Sequence, residues 1–130
     1  MGAGDIKFNA EIFRNDFTQL IAKSIQRLVT MPVRLAYNSA GYACGVTLAR
    51  DPADGFYKKY DDGGASGVTT AVCILSEDVD AGESSGTKLA VAITHGELYN
   101  DKITGMDANG RTDLGARTYT EADGTVIFSF

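Results

Sequence analysis

The hydrophobic pattern changes period once along the chain. From Asn9 to Val29, the apolar residues Ile12, Phe13, Phe17, Leu20, Ile21, Ile25 and Leu28 recur at three- and four-residue spacings. That spacing predicts one stripe on an amphipathic helix, with Glu11, Arg14, Asp16, Lys23 and Arg27 mostly off the stripe. Asn9 or Asp5 can cap its start. Thr30 and Pro32 predict its end, because the residue before proline avoids the helical region. A helix of this length is marginal alone in water. Its stripe therefore needs a surface, either the strands of its own domain, a neighbouring subunit or another partner.

Beyond Met31 the period shortens to two. Val33, Leu35 and Tyr37 alternate with Arg34, Ala36 and Asn38, as in a half-buried strand. Further strands are predicted over 42–49, 56–60, 68–75 and 88–95, with a short edge segment at Leu98–Asn100. Gly45, inside the second strand, predicts a bulge or a close backbone approach. Asp51-Pro52-Ala53-Asp54-Gly55 and Asp61 to Gly67 are turn and loop chemistry. A short helix is predicted within Met106 to Leu114. The last segment reads as a hairpin, with Asp123-Gly124 predicting a type I′ turn. The expected fold is mainly β: a small β-barrel or β-tulip-like domain with one N-terminal amphipathic helix and one short late helix. The expected division is an N-terminal arm and helix, 1–30, and a β-rich domain, 31–130. On that division, removing residues 1 to 30 is expected to weaken partner binding more than folding.

Composition narrows the function. At 130 residues the chain suits one domain. A net charge of −5 and no basic patch argue against contact with a phosphate backbone. No charged segment precedes an apolar run in the manner of a secretory signal. No stretch approaches the roughly 18 apolar residues of a spanning helix, so no membrane contact is expected. Cys44 and Cys73 sit among apolar residues and read as small buried hydrophobes, although a disulfide stays open.

Candidate chemistry is sparse. His95 is the single histidine, and no Gly-x-Ser-x-Gly elbow accompanies it. One His and two Cys lack the spacing of a zinc site. The acidic pairs Asp51/Asp54, Asp61/Asp62, Asp78/Asp80 and Glu121/Asp123 and the group Asp107/Asn109/Asp113 miss the EF-hand pattern. Loop aspartates more often cap turns. No enzyme activity, cofactor or resident metal is expected.

The most telling stretch is Thr70 to Ala81, an apolar strand that breaks into an acidic turn. In the order Gly45-Val46-Thr47-Leu48, Phe56 to Tyr60 with Asp61, Ala71 to Leu75 with Asp78-Val79-Asp80-Ala81, Leu89 to Ile93 with Gly96-Glu97-Leu98, and Met106 to Leu114, the chain resembles the head decoration proteins of tailed phages, the lambda protein D-like group. The resemblance implies a β-rich domain that trimerises on the outside of an expanded capsid and stabilises it. It also implies a phage major capsid protein as partner and the virion exterior as location, after synthesis in the host cytoplasm. Phe8, Ile12, Phe13, Phe17, Leu20 and Ile21 are the expected capsid or subunit contacts, and Asp78 and Asp80 the family-like turn. The alternatives are another virion component (tail or fibre), a small β-barrel binding a ligand or cation through Asp78 and Asp80, and a hydrolase built on His95.

Overall fold

The period-two pattern builds eight strands among the described residues of the computed structural model, which are 20–21, 28–81 and 86–130. They are β1 (Val29–Leu35), β2 (Thr47–Arg50), β3 (Tyr57–Lys59), β4 (Ala71–Leu75), β5 (Lys88–His95), β6 (Glu97–Tyr99), β7 (Arg117–Thr120) and β8 (Val126–Ser129). A 3-10 turn, Asn100–Lys102, and one α-helix, α1 (Ala108–Leu114), lie between β6 and β7. The protein is thus mainly β with one helix among those residues.

Five strands close a barrel in the order β1-β3-β2-β4-β5. The neighbours are antiparallel except β1 and β3, which meet in parallel at Leu35 and Tyr57. Closure there is reinforced by the Ala36 N–H donating to the Tyr57 carbonyl at 2.9 Å. At Gly96 the chain leaves the barrel and enters a second sheet, ordered β6-β8-β7.

Two apolar layers follow from the strand sequences. Val33, Leu35, Val46, Leu48, Cys73, Leu75, Ala90 and Ala92 fill the barrel interior. Ile74 and Ile93, paired across β4 and β5, face outward and are buried with Leu20, Leu98 and Phe128. Strands β4 and β5 are therefore covered on both faces over much of their length. This is why they read as near-continuous apolar runs rather than as strict alternation. On another flank, α1 sits over Ala49, Tyr60 and Ala71, with Leu114 packed against them.

Several expectations change. The stretch read as helix to Val29 gives way to strand: β1 begins at Val29 and runs through Pro32, paired with β5 along its length. The two readings overlap at Val29 alone, where pairing with β5 sets the strand. Proline is tolerated because β1 meets β3 only at Leu35, which leaves its other edge without a ladder at Pro32. Leu20 lies in a turn, and Ile21 forms an antiparallel bridge with Leu98. The rest of the expected helix falls outside the described residues. A boundary between residues 30 and 31 would cut β1. The predicted strand 42–49 is a ladder only from Thr47; Tyr42 and Val46 make single bridges on either side of a turn at Cys44-Gly45. The final turn is a type I turn followed by a glycine bulge, not type I′. The Gly124 N–H donates to the Glu121 carbonyl, and only Gly124 has positive φ there.

The late helix has both end signals. Asp107 caps it by accepting from the Gly110 N–H at 2.7 Å. Gly115, at φ 63°, ends it, while the Ala116 N–H returns to the Arg111 carbonyl.

The β2–β3 loop is closed by charge. Lys58 Nζ reaches Asp51 at 2.7 Å and Asp54 at 3.0 Å. The Lys58 hydrogen bond holds the Asp51 carboxyl below its ordinary range; for Asp54 the Phe56 N–H does most of this, with Lys58 next. A carboxyl lowered in the folded state contributes stability above its unfolded value, about 3.9, and loses it as pH falls through the folded value. Lys58→Met is therefore expected to flatten the acid limb of stability between about pH 5 and 2. Urea midpoints across that range check this; an acid limb as steep as wild type would contradict it.

Candidate interaction surface

The turn singled out in the sequence is a built part of the barrel. Tyr42 and Val79 exchange both backbone hydrogen bonds at 2.8 Å. Asp78 Oδ1 accepts from the Cys44 N–H at 2.8 Å, fixing the segment before β2. Gly41, at φ +69°, is required here, because a Cβ would sit 2.6 Å from the Val79 carbonyl oxygen. Upstream, Ser76 and Glu77 extend the β4–β5 ladder with side chains. Ser76 Oγ donates to the Val91 carbonyl at 2.5 Å, and the Val91 N–H donates to Glu77 Oε2 at 2.9 Å. Asp78 and Asp80 are both exposed and border an open groove of about 480 Å³ that Ser39 and Tyr42 also line.

Most of the other acidic groups accept hydrogen bonds within the fold, some from local turns and caps and some from distant segments. Asp61 accepts from the Gly63 N–H, Asp113 from the Ala71 N–H and Asp123 from the Thr125 N–H. Asp62 accepts from the Asn109 amide. Asp107 accepts from both the Gly110 N–H and the buried Tyr60 hydroxyl, which together lower its carboxyl. Burial, and then the Asp107 bond, pushes the Tyr60 hydroxyl well up. Among the described residues, no three His, Cys, Asp or Glu side chains converge as metal ligands. Cys44 and Cys73 are not joined in a disulfide; burial pushes the Cys73 thiol up to about 12. Exposed His95 ends β5, its ring centroid 6.5 Å from that of Phe130.

Of the residues expected to touch a partner, Phe8, Ile12, Phe13 and Phe17 lie outside the described residues. Leu20 is 1% exposed in the layer with Ile74, Ile93, Leu98 and Phe128, and its carbonyl accepts from the Tyr99 N–H at 2.8 Å. Ile21 is half-buried beside it. These two side chains are held by their own chain.

A surface that sequence reading missed lies on β1 and β5. Pro32 pairs with Val91, and Arg34 with Leu89, on the outer face. Along β5 on this face Ile93 is buried, Val91 half-buried and Leu89 68% exposed, the most exposed large apolar side chain among the described residues. Pro32 and Arg34 are exposed as well. Among the described residues, the second layer thus stops short of Leu89. Strand alternation could not reveal this, because KLAVAITH is apolar on both faces. A second open groove, about 570 Å³, lies between the 3-10 turn and the β7–β8 turn, lined in part by Tyr99, Asp101, Lys102 and Val126.

Comparison with protein-family models, with curated proteins and with solved structures found no match.

Proposed function

We propose that this protein is a structural component of a tailed-phage head, which binds the outer surface of the expanded capsid as a homotrimer and cements it. The observation that supports the reading is that the segments quoted for the resemblance form successive elements of one β-rich domain. Each quoted segment supplies its own element of one fold: β2, β3, β4 with its acidic turn, β5 leading into β6, and α1. A cementing protein needs no catalysis. It needs a rigid scaffold that presents a self-complementary face and a capsid-facing edge. Three weak capsid contacts on one trimer act at high effective concentration, so their combined hold far exceeds one contact. In this reading an amphipathic N-terminal arm contributes Phe8, Ile12, Phe13 and Phe17 to the capsid or a neighbouring subunit, and the partner is the major capsid protein.

The test is co-sedimentation with capsid shells of the phage or prophage that carries the gene, in expanded and unexpanded form. Pelleting with expanded shells is the expected result. Protein that stays in the supernatant with both forms would overturn the proposal.

A further inference from the structure

We infer that the face of the second sheet centred on Ile127 is, in the free protein, the docking site of this chain's own N-terminal stripe, Phe8, Ile12, Phe13 and Phe17. The inference goes beyond the functional reading, because it gives these residues a place before any capsid is bound.

The pairing of β6, β8 and β7 sorts their side chains onto two faces. Leu98, Phe128 and Thr118 stand in one cross-strand row and Tyr99, Ile127 and Tyr119 in the next, and successive rows point to opposite faces. The Phe128 face is closed by the barrel, where Ile74 and Ile93 meet Leu98 and Phe128. The Ile127 face points away from it. Ile127 is nevertheless 0% exposed, on the central strand. It belongs to none of the three apolar clusters that the described residues form. Its row neighbours flank it without sealing it. Tyr99 is half-buried, and Tyr119, whose hydroxyl donates to the Glu97 carboxylate on the same face, is 40% exposed. Complete burial needs atoms packed over the side chain, so another part of this chain lies on it.

The sequence outside the described residues narrows the occupant. Residues 82–85, GESS, have no large apolar side chain. Residues 22–27 have one, Ile25, and run between Ile21 and Leu28, which both pack with Phe128 on the opposite face. Residues 1–19 hold Phe8, Ile12, Phe13 and Phe17. They also end in the right place. The Leu20 carbonyl accepts from the Tyr99 N–H and Ile21 bridges to Leu98, so the chain reaches Leu20 at the outer edge of β6. From that edge three strands extend about 10 Å. As a helix, Phe8 to Phe17 reach about 14 Å, enough to cross them. The sheet thereby supplies the apolar surface that a helix marginal in water needs.

The test uses the full wild-type chain in solution, without capsids. Isotope-filtered nuclear Overhauser spectra record the contacts of the Ile127 methyl groups. Cross-peaks to the rings of Phe8, Phe13 or Phe17 within one chain are the expected result. Cross-peaks to Ile25 alone, to no residue before Leu20, or only between differently labelled copies would each overturn the inference. Urea midpoints of Ile127→Ala, of Phe13→Ala with Phe17→Ala, and of all three changes together give a second measure. The combined shift is expected to fall short of the sum of the two, because side chains in contact do not contribute independently. A fully additive shift would overturn the inference as well. No capsid takes part in either measurement, so this contact and the capsid reading fail separately.

Discussion

Gly45→Ala is expected to lose about 3 kcal/mol of stability or more, lowering the unfolding midpoint by roughly 10 °C in a chain of this size. Two separate effects add at this position. Gly45 holds φ +92°, which an alanine adopts only with strain. A Cβ there would also stand 2.2 Å from the Lys102 carbonyl oxygen, well inside any real contact. The backbone cannot retreat. The Gly45 N–H donates to the Leu75 carbonyl at 2.8 Å, and its own carbonyl accepts from the Thr104 N–H at 3.0 Å. Moving either strand breaks the join between the barrel and the segment after the 3-10 turn. Gly124 is the control, because it has nearly the same φ, +91°, but nothing within 4 Å of a Cβ. Gly124→Ala should therefore lose only about 1 kcal/mol, the strain alone. Thermal unfolding of the two variants side by side separates the contributions. Equal small losses would contradict the crossing described here.

Leu20→Ala is expected to lose about 3 kcal/mol, as for other large-to-small changes in a closed core. Leu20 is 1% exposed beneath Phe128, Ile93 and Leu98, and its carbonyl receives the Tyr99 N–H. Deleting residues 1 to 30 removes Leu20, Leu28 and the first two residues of β1, uncovering Ile93 and Leu98 together. That deletion should fail to fold cooperatively, reversing the expectation that the segment serves binding rather than folding. Urea unfolding of Leu20→Ala is the check. A midpoint equal to wild type would show that residue 20 lies outside the cooperative unit.

What was legible in the sequence is what local spacing encodes. The runs AVCIL and KLAVAITH mark β4 and β5; Asp107 and Gly115 bracket α1; Gly45 announces a close backbone approach. What was not legible depends on long-range partners. The alternation from Val33 marks the second half of β1, but its start at Val29 to Pro32 depends on pairing with β5, which no window around Pro32 can show. Leu20 and Ile21 belong to a helical stripe by spacing, yet they are held by β6, nearly 80 residues later. The acidic pairs resemble cation sites in sequence, whereas in the fold their oxygens mostly meet backbone N–H groups or Lys58. The open face at Leu89 was hidden for the opposite reason, because an apolar residue in an apolar strand carries no sign that its cover ends there.

The most direct measurement is the thermal stability of expanded capsids with and without the protein, followed by calorimetry. The functional account predicts that saturating protein raises the temperature at which the shells disrupt, because a ligand bound only to the intact lattice stabilises it. Shells that bind the protein yet disrupt at an unchanged temperature would contradict a cementing role.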